Sequence, residues 1–251
     1  MLAGRALAEI AMKLTWTPPP PGGNLAVMSD IDIAFLVYPG MAALDLAGPY
    51  EVLQKLPGGR LHLVAKTTEP VVCDSGMKIS PSATFAEVPR AQVLCVPGGG
   101  GQIDFMEDQP TLDWIRTVAA DARWVTSVCT GSFLLGAAGL LRGYRATSHW
   151  ASLPVLAAYG ATVVEERVVV DRNRITAAGV TAGIDLALHV AARLASPTVA
   201  EAIQLALEYD PQPPFQSGHP RSASPALVEV VRARYADRVA RREAQARRLT
   251  G

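Results

Sequence analysis

Residues 123–138 read RWVTSVCTGSFLLGAA, and the change of period inside them decides the fold. Arg123 to Val128 has the length and composition of a strand. The chain then breaks at Cys129-Thr130-Gly131-Ser132 straight into a helical run through Ala138. A small residue two before the cysteine (Ser127) and a glycine two after it (Gly131) permit a sharp strand-to-helix turn, with the thiol standing above the sheet at a helix N-terminus.

The same alternation extends on both sides. Ile31 to Tyr38 (IDIAFLVY) is a short, nearly continuous apolar run, as expected of a parallel strand covered on both faces. A helical pattern from about Leu46 to Leu56 follows, entered just after Asp45. Arg60 to Lys66 alternates as a second strand. Val71-Val72-Cys73 and Met77 to Ser80 flank Asp74-Ser75-Gly76, a hairpin signal. Val93 to Val96 reads as a buried strand stopped by Pro97-Gly98-Gly99-Gly100-Gly101, and a helix over Thr111 to Asp121 follows with Pro110 in its first turn. Thr162 to Val170 and Arg174 to Thr176 surround a second hairpin signal, and helices are expected at about 181–195 and 198–208. This order predicts an α/β fold with a doubly wound, mostly parallel sheet and a small β extension.

Composition narrows the function. Of 251 residues 49% are apolar and 18% charged, ample for a core. Lys plus Arg and Asp plus Glu number 23 each, so global charge gives nucleic-acid binding no support. Three cysteines without CxxC spacing fit neither a disulfide scaffold nor a zinc site, and free thiols in the cytoplasm are the simpler reading. No apolar run approaches the ~18–20 residues that span a bilayer.

The ends differ from the middle. Residues 1–27 end in Pro18 to Pro21 and Gly22-Gly23, a linker composition. They read as a disordered leader, or as the product of an upstream start codon with Met28 the natural start, the latter slightly favoured. The body runs over 28–220. Residues 221–251 hold a basic amphipathic helix, whose stretch 226–249 carries seven arginines against Glu229, Asp237 and Glu243. Val228, Val231, Tyr235 and Val239 recur on one face. A solvated surface helix or a dimer-packing arm is expected there, in preference to an RNA or DNA tail.

In doubly wound sheets chemistry gathers at the carboxyl ends of the strands. Pro39 to Asp45, Pro97 to Gly101 and Ser127 to Ser132 all arrive there. A helix N-terminus stabilises a thiolate, which marks Cys129 as a nucleophile, whereas Cys95 and Cys73 fit buried structural thiols. The glycine run lacks the Lys-Ser/Thr of a phosphate loop. The amides of Gly98 or Gly99 with that of Thr130 can instead form an oxyanion-type pocket, or the run is a plain flexible loop. Asp45 is by itself an ordinary N-cap. Facing a thiol in a partly desolvated site, its carboxyl pKa rises and a proton is available for transfer. His149 is either a base for the thiol or a structural histidine.

These residues carry a resemblance. LDLAGPYEVL (44–53), VPGGGG (96–101), VTSVCTGSFLLGAAGLL (125–141) and ATSHW (146–150) together resemble the ThiJ/PfpI superfamily, over about Ile31 to Tyr209. Within it the chain is similar to the isonitrile hydratases, which share aspartate at the Asp45 position and a tail like LALEYDPQPPFQSGHP (205–220). Ala177-Ala178 departs from the glycine common among relatives. The resemblance implies a flavodoxin-like sandwich with a nucleophile elbow and hydration of a small apolar isonitrile to an N-substituted formamide. It assigns Cys129 as nucleophile, Asp45 as proton carrier and Thr130 as the residue orienting thiol or water. His149 and Trp150 would stand behind them, with Tyr38, Met41, Trp150 and Val180 around the apolar group. No metal or organic cofactor is implied, and a homodimer is. Two alternatives remain: another thiol enzyme of the scaffold, glyoxalase-like or peptidase-like, and a non-enzymatic sensing domain like those of regulators that add a helix-turn-helix module.

Overall fold

Ile31–Leu36, the apolar run near the start of the described chain, is the strand around which the sheet reverses direction (β1). The computed structural model describes residues 30–250, so the expected leader over 1–27 lies outside the described residues. In chain order there follow α1 (Ala43–Leu53), β2 (Gly59–Ala65), β3 (Val71–Val72), β4 (Lys78–Ile79), β5 (Ala83–Thr84), β6 (Val93–Val96), α2 (Gln102–Phe105), α3 (Gln109–Asp121) and β7 (Trp124–Val128). Then come α4 (Gly131–Ala137), β8 (Arg145–Ala146), a 3₁₀ helix (Leu153–Tyr159), β9 (Thr162–Val163), β10 (Val168–Asp171), β11 (Arg174–Ala177), α5 (Ala182–Leu194), α6 (Pro197–Ala206) and α7 (Pro225–Thr250).

Seven strands form the main sheet in the order β10-β11-β7-β6-β1-β2-β5, parallel throughout except where β10 returns antiparallel to β11. The chain moves from β1 outward to β2 and β5, then crosses back to β6 and continues through β7 to β11. The reversal between β1 and β6 opens a crevice at their carboxyl ends, where such sheets place ligands. Ile33, Ala34, Phe35 and Leu36 are all fully buried, as a strand flanked by helices on both faces requires. Asp32 is the one half-exposed residue of β1, and it pairs with Arg60 and His62 at the opposite end from that crevice.

Local chemistry moved several expected boundaries. α1 begins at Ala43, not after Asp45, because the turn before it closes early: Met41 bridges to Gly99 and the Asp45 amide donates to the Ala42 carbonyl. Asp45 is therefore in the first helical turn and caps nothing. α3 begins at Gln109 because the Asp108 carboxylate accepts the Thr111 amide at 3.0 Å, a side-chain N-cap. The run expected as one strand over 162–170 is two: β9 pairs with β8 in a separate small sheet, and only β10 makes the hairpin with β11.

The basic carboxyl helix is present as its pattern predicts, and its inward face extends beyond the apolar stripe. α7 packs along the body with Val228, Val231, Tyr235 and Val239 half-buried, and Arg242, Gln245 and Ala246 buried. Arg241 pairs with Asp104 and Arg248 with Glu107, so part of its positive charge meets the acidic segment around α2. Such exposed pairs are worth ~0–1 kcal/mol each, and most of the docking energy comes from the buried stripe. Among the described residues no helix is long and apolar enough to cross a membrane.

Candidate active site

Cys129 sits one residue beyond β7 with φ of 55°, in left-handed backbone that L-residues seldom adopt. Holding a non-glycine residue there costs ~1–3 kcal/mol unless its neighbours fix it. They do. Its amide donates to the Ala177 carbonyl at 3.1 Å, and its carbonyl accepts the Ser132 hydroxyl at 3.2 Å and the Ser148 hydroxyl at 3.0 Å. Gly131 must be glycine, since a Cβ there would stand 2.1 Å from the Val96 carbonyl oxygen. The result is a sharp elbow that lifts the thiol out of the ladder at the start of α4.

Asp45, 1% exposed, comes from α1 across the crevice. Its Oδ2 accepts the Gly98 amide at 2.8 Å, while Oδ1 is buried and has no hydrogen-bond partner among the described residues. Pro49, lacking an N–H, cannot donate to the Asp45 carbonyl one turn back. Burial pushes the Asp45 carboxyl up to about 7; nearby Asp74 adds to the rise, whereas the Gly98 amide and the Cys129 thiol oppose it. The Cys129 thiol is itself raised, first by burial and then by the charge of Asp45, against the Thr130 amide and hydroxyl and the Arg242 guanidinium. Thiol and carboxyl are thus two reluctant acids sharing one desolvated space, a pairing suited to passing a proton.

Thr130 accepts the Gly99 amide through Oγ1 at 3.0 Å and donates back to the Gly99 carbonyl at 3.2 Å, which ties the glycine run to the elbow. Gly99 has φ of 128°, and a Cβ there would lie 2.3 Å from the Ala42 nitrogen, so the run is a close-packed joint rather than a flexible loop. The expected oxyanion pocket from Gly98 and Gly99 needs correction: both amides are already committed, to Asp45 and to Thr130. Of the three amides in that expectation, the Thr130 N–H is the one that eases ionisation of the Cys129 thiol.

The remaining expected residues divide. His149 accepts the Ala151 amide on Nδ1 at 3.3 Å, and burial, with Arg242 nearby, pushes its pKa down to about 4, so its ring is neutral near pH 7. No hydrogen bond joins it to Cys129 among the described residues; it packs against Trp150 and the Tyr235 ring of α7. Trp150 and Val180 line a cavity of about 420 Å³, together with His149, Leu153 and Thr181 and a charged rim of Glu165, Glu166 and Arg167. Tyr38 and Met41 do not line it. Both are fully buried: Tyr38 donates to the Pro97 carbonyl at 2.8 Å beneath the site, and Met41 is fixed by its bridge to Gly99. No group of three or more His, Cys, Asp or Glu is gathered as a metal site would need, among the described residues.

Ser132, Ser148 and Arg242 are the site residues that motif reading missed. Ser148 stands inside the ATSHW motif, beside the more conspicuous histidine. Arg242 continues the inward stripe of Tyr235 and Val239 at helical spacing, a phase visible in the sequence.

The DJ-1/PfpI family pattern matches residues 32–193. Isonitrile hydratase of Pseudomonas putida is 51% identical over 206 residues, covering 82% of this chain and 90% of that protein. The crystal structure of a ThiJ/PfpI family protein from Pseudomonas syringae superposes with a TM-score of 0.86 at 43% identity, covering 92% of this chain and 98% of that one. The transcriptional regulator GbdR of Pseudomonas aeruginosa is 31% identical over 187 residues, 71% of this chain but 50% of the regulator.

Proposed function

The chain belongs to the DJ-1/PfpI family, and from that premise we propose that it is an isonitrile hydratase, a lyase that adds water to R–N≡C to give an N-substituted formamide. The observation that carries this reading is the pairing of Cys129 with the buried, proton-poised Asp45, in a chain 51% identical to a known isonitrile hydratase over most of both lengths. The match to GbdR spans half of that regulator, and a sensing role gives no reason for a carboxylate raised to about 7 against a thiol.

In the proposed mechanism Asp45 takes the thiol proton as the Cys129 sulfur bonds to the terminal isonitrile carbon. It then delivers that proton to the same carbon, giving a thioimidate R–N=CH–S. Asp45, ionised again, removes a proton from water as the water oxygen attacks the thioimidate carbon and passes that same proton to the nitrogen, giving R–NH–CH(OH)–S bound to Cys129. The tetrahedral adduct collapses with cleavage of the C–S bond, the electron pair returning to sulfur and the proton to the Cys129–Asp45 pair. R–NH–CHO leaves. The Thr130 amide favours the ionised sulfur, and the cavity beside Trp150 and Val180, lined also by Ser148 whose hydroxyl bonds the Cys129 carbonyl, would take an apolar R group. No cofactor enters this scheme. The reading carries with it a homodimer working in the cytoplasm, where three unpaired thiols stay reduced.

The test is conversion of cyclohexyl isocyanide to its formamide by the purified protein. Full turnover in Cys129→Ala or Asp45→Asn would sink the assignment.

A further inference from the structure

We infer that the carboxyl-terminal segment 217–221, clasped onto Glu165 by His219 and Arg221, is the outer wall of the substrate cavity and sets the size of the R group accepted. This rests on the reading of that cavity as the seat of the isonitrile's R group.

The cavity of about 420 Å³ has two kinds of wall. Trp150, Leu153 and Val180 give it an apolar side, and Gly218, His219 and Arg221 close it from the stretch between α6 and α7. That stretch holds Pro211, Pro213, Pro214 and Pro220 and runs as turns and irregular backbone. Residues 210–218 are exposed, whereas His219 and Pro220 are half-buried, so the chain turns inward where it meets the cavity. The turn is closed locally. The Ser222 and Ala223 amides each donate to the His219 carbonyl at 2.9 Å, and the Arg221 amide donates to His219 Nδ1 at 3.1 Å. With Nδ1 accepting, the ring carries its hydrogen on Nε2, which lies 3.6 Å from Glu165 Oε1. Arg221 Nη1 reaches the same oxygen at 3.4 Å. Glu165, on the link between β9 and β10, thus receives both residues.

A plain tether between two helices does not account for this arrangement. Exposed ion pairs of this kind add little to stability. What the clasp does is fix a position: the prolines leave the segment few conformations, and weak contacts suffice to hold a chain with little freedom to lose. Gly218 and His219 also form, with Trp150, one side of a second pocket of about 90 Å³ against Leu227 and Val228 of α7. The segment therefore stands as a partition with room behind it, and release from Glu165 gives it space to retreat. The rest of the charged rim has partners of its own, Glu166 with Arg145 at 3.4 Å and Arg167 with Asp185 at 2.6 Å. A rim neutralised in this way offers nothing to a charged R group, and size is what remains for it to select. The segment lies beyond residues 32–193, which carry the family pattern, so members with the same elbow can differ in this wall.

The test is a size series of isopropyl, cyclohexyl and 1-adamantyl isocyanide. Formamide formation is measured as kcat and KM for the full chain and for two variants, with Tm recorded for each. Glu165→Gln keeps the volume of the rim and removes the charge both partners meet; Arg221→Glu turns the shorter contact into a repulsion. Wild type is expected to use the adamantyl compound least well. R221E should raise the adamantyl-to-isopropyl ratio of kcat/KM about tenfold, and E165Q about threefold, chiefly through a lower KM for the larger compound. Because the substrates are neutral, 1 M NaCl should move the wild-type ratio in the same direction by screening the clasp. A ratio unmoved in both variants, or a common loss on all three compounds that follows Tm, overturns the inference. Equal use of the three compounds by wild type overturns it as well. If wild type hydrates none of them, the functional reading fails and the wall with it, whereas turnover with an unmoved ratio defeats the wall alone.

Discussion

Cys95 and Cys129 sit at the carboxyl ends of adjacent parallel strands, β6 and β7, and both are buried. Burial pushes both thiols upward, that of Cys95 to about 12. Yet they stand in different chemistry. Cys95 stays in the ladder, in register with Phe35 on one side and Thr126 on the other, and the one side chain that eases its ionisation is the Thr126 hydroxyl. Cys129 has left the ladder at positive φ and faces a carboxyl, a hydroxyl and a guanidinium. A high thiol pKa therefore marks neither cysteine as reactive or inert. What separates them is the elbow backbone and a buried carboxyl that shares the surroundings of one sulfur and not the other.

The contrast is broken most decisively by turnover. Cys129→Ala should lower the rate of isonitrile hydration by roughly 10³-fold or more, and Asp45→Asn should do the same, in a direct assay of formamide. A smaller loss in both would mean that the elbow and its carboxyl are only structure.

Next in size is the stability of Asp45→Asn. The Asp45 carboxyl, ordinarily near 3.8, titrates at about 7 in the folded protein. The folded state thus keeps a proton that the unfolded chain releases between about pH 4 and pH 7, so stability falls with rising pH through that window and stays depressed above it. Asp45→Asn removes the slope. Urea unfolding at pH 8 should show the variant more stable than wild type by a few kcal/mol, roughly the cost of a three-unit shift. Equal stability would mean that Asp45 is solvated more than its burial implies.

The same carboxyl sets a pH limb. Below about 7 Asp45 is already protonated and cannot accept the thiol proton, so kcat/KM should fall about tenfold per unit as the medium is acidified. A rate flat from pH 8 to pH 5 contradicts Asp45 as the acceptor. Smaller again is Ser148→Ala, which removes one hydroxyl from the Cys129 carbonyl. About 1 kcal/mol of stability and a few-fold of kcat should be lost. Smallest is Cys95→Ala, which should keep turnover within about twofold and cost ~1–2 kcal/mol, read from urea midpoints.

Much of this was legible beforehand, and the reasons are specific. The strand runs around Phe35 and Cys95 are apolar on both faces because helices cover the sheet from both sides, and two-sided burial leaves a continuous signature in sequence. The elbow declared itself through small residues around Cys129, since only they fit against Val96. The commitments of Gly98 and Gly99 were not legible, because backbone amides carry no side-chain label and their partners, Asp45 on α1 and Thr130 at the elbow, are distant in the chain. Arg242 was hidden for a related reason. Composition registered a charged helix, and charge on a helix usually faces water, so the single arginine turned inward was averaged with its neighbours.

The reversal of strand order between β1 and β6 also has a temporal meaning. Asp45 and Cys129 are far apart in the chain and share no local element, so they meet only after β1, β6 and β7 have paired. Long-range pairing of parallel strands is a slow event in folding. Until it occurs the cysteine is an ordinary thiol in a turn, without its proton acceptor. Reactivity is thereby gated by completion of the native topology, and a half-folded chain does not carry an activated sulfur.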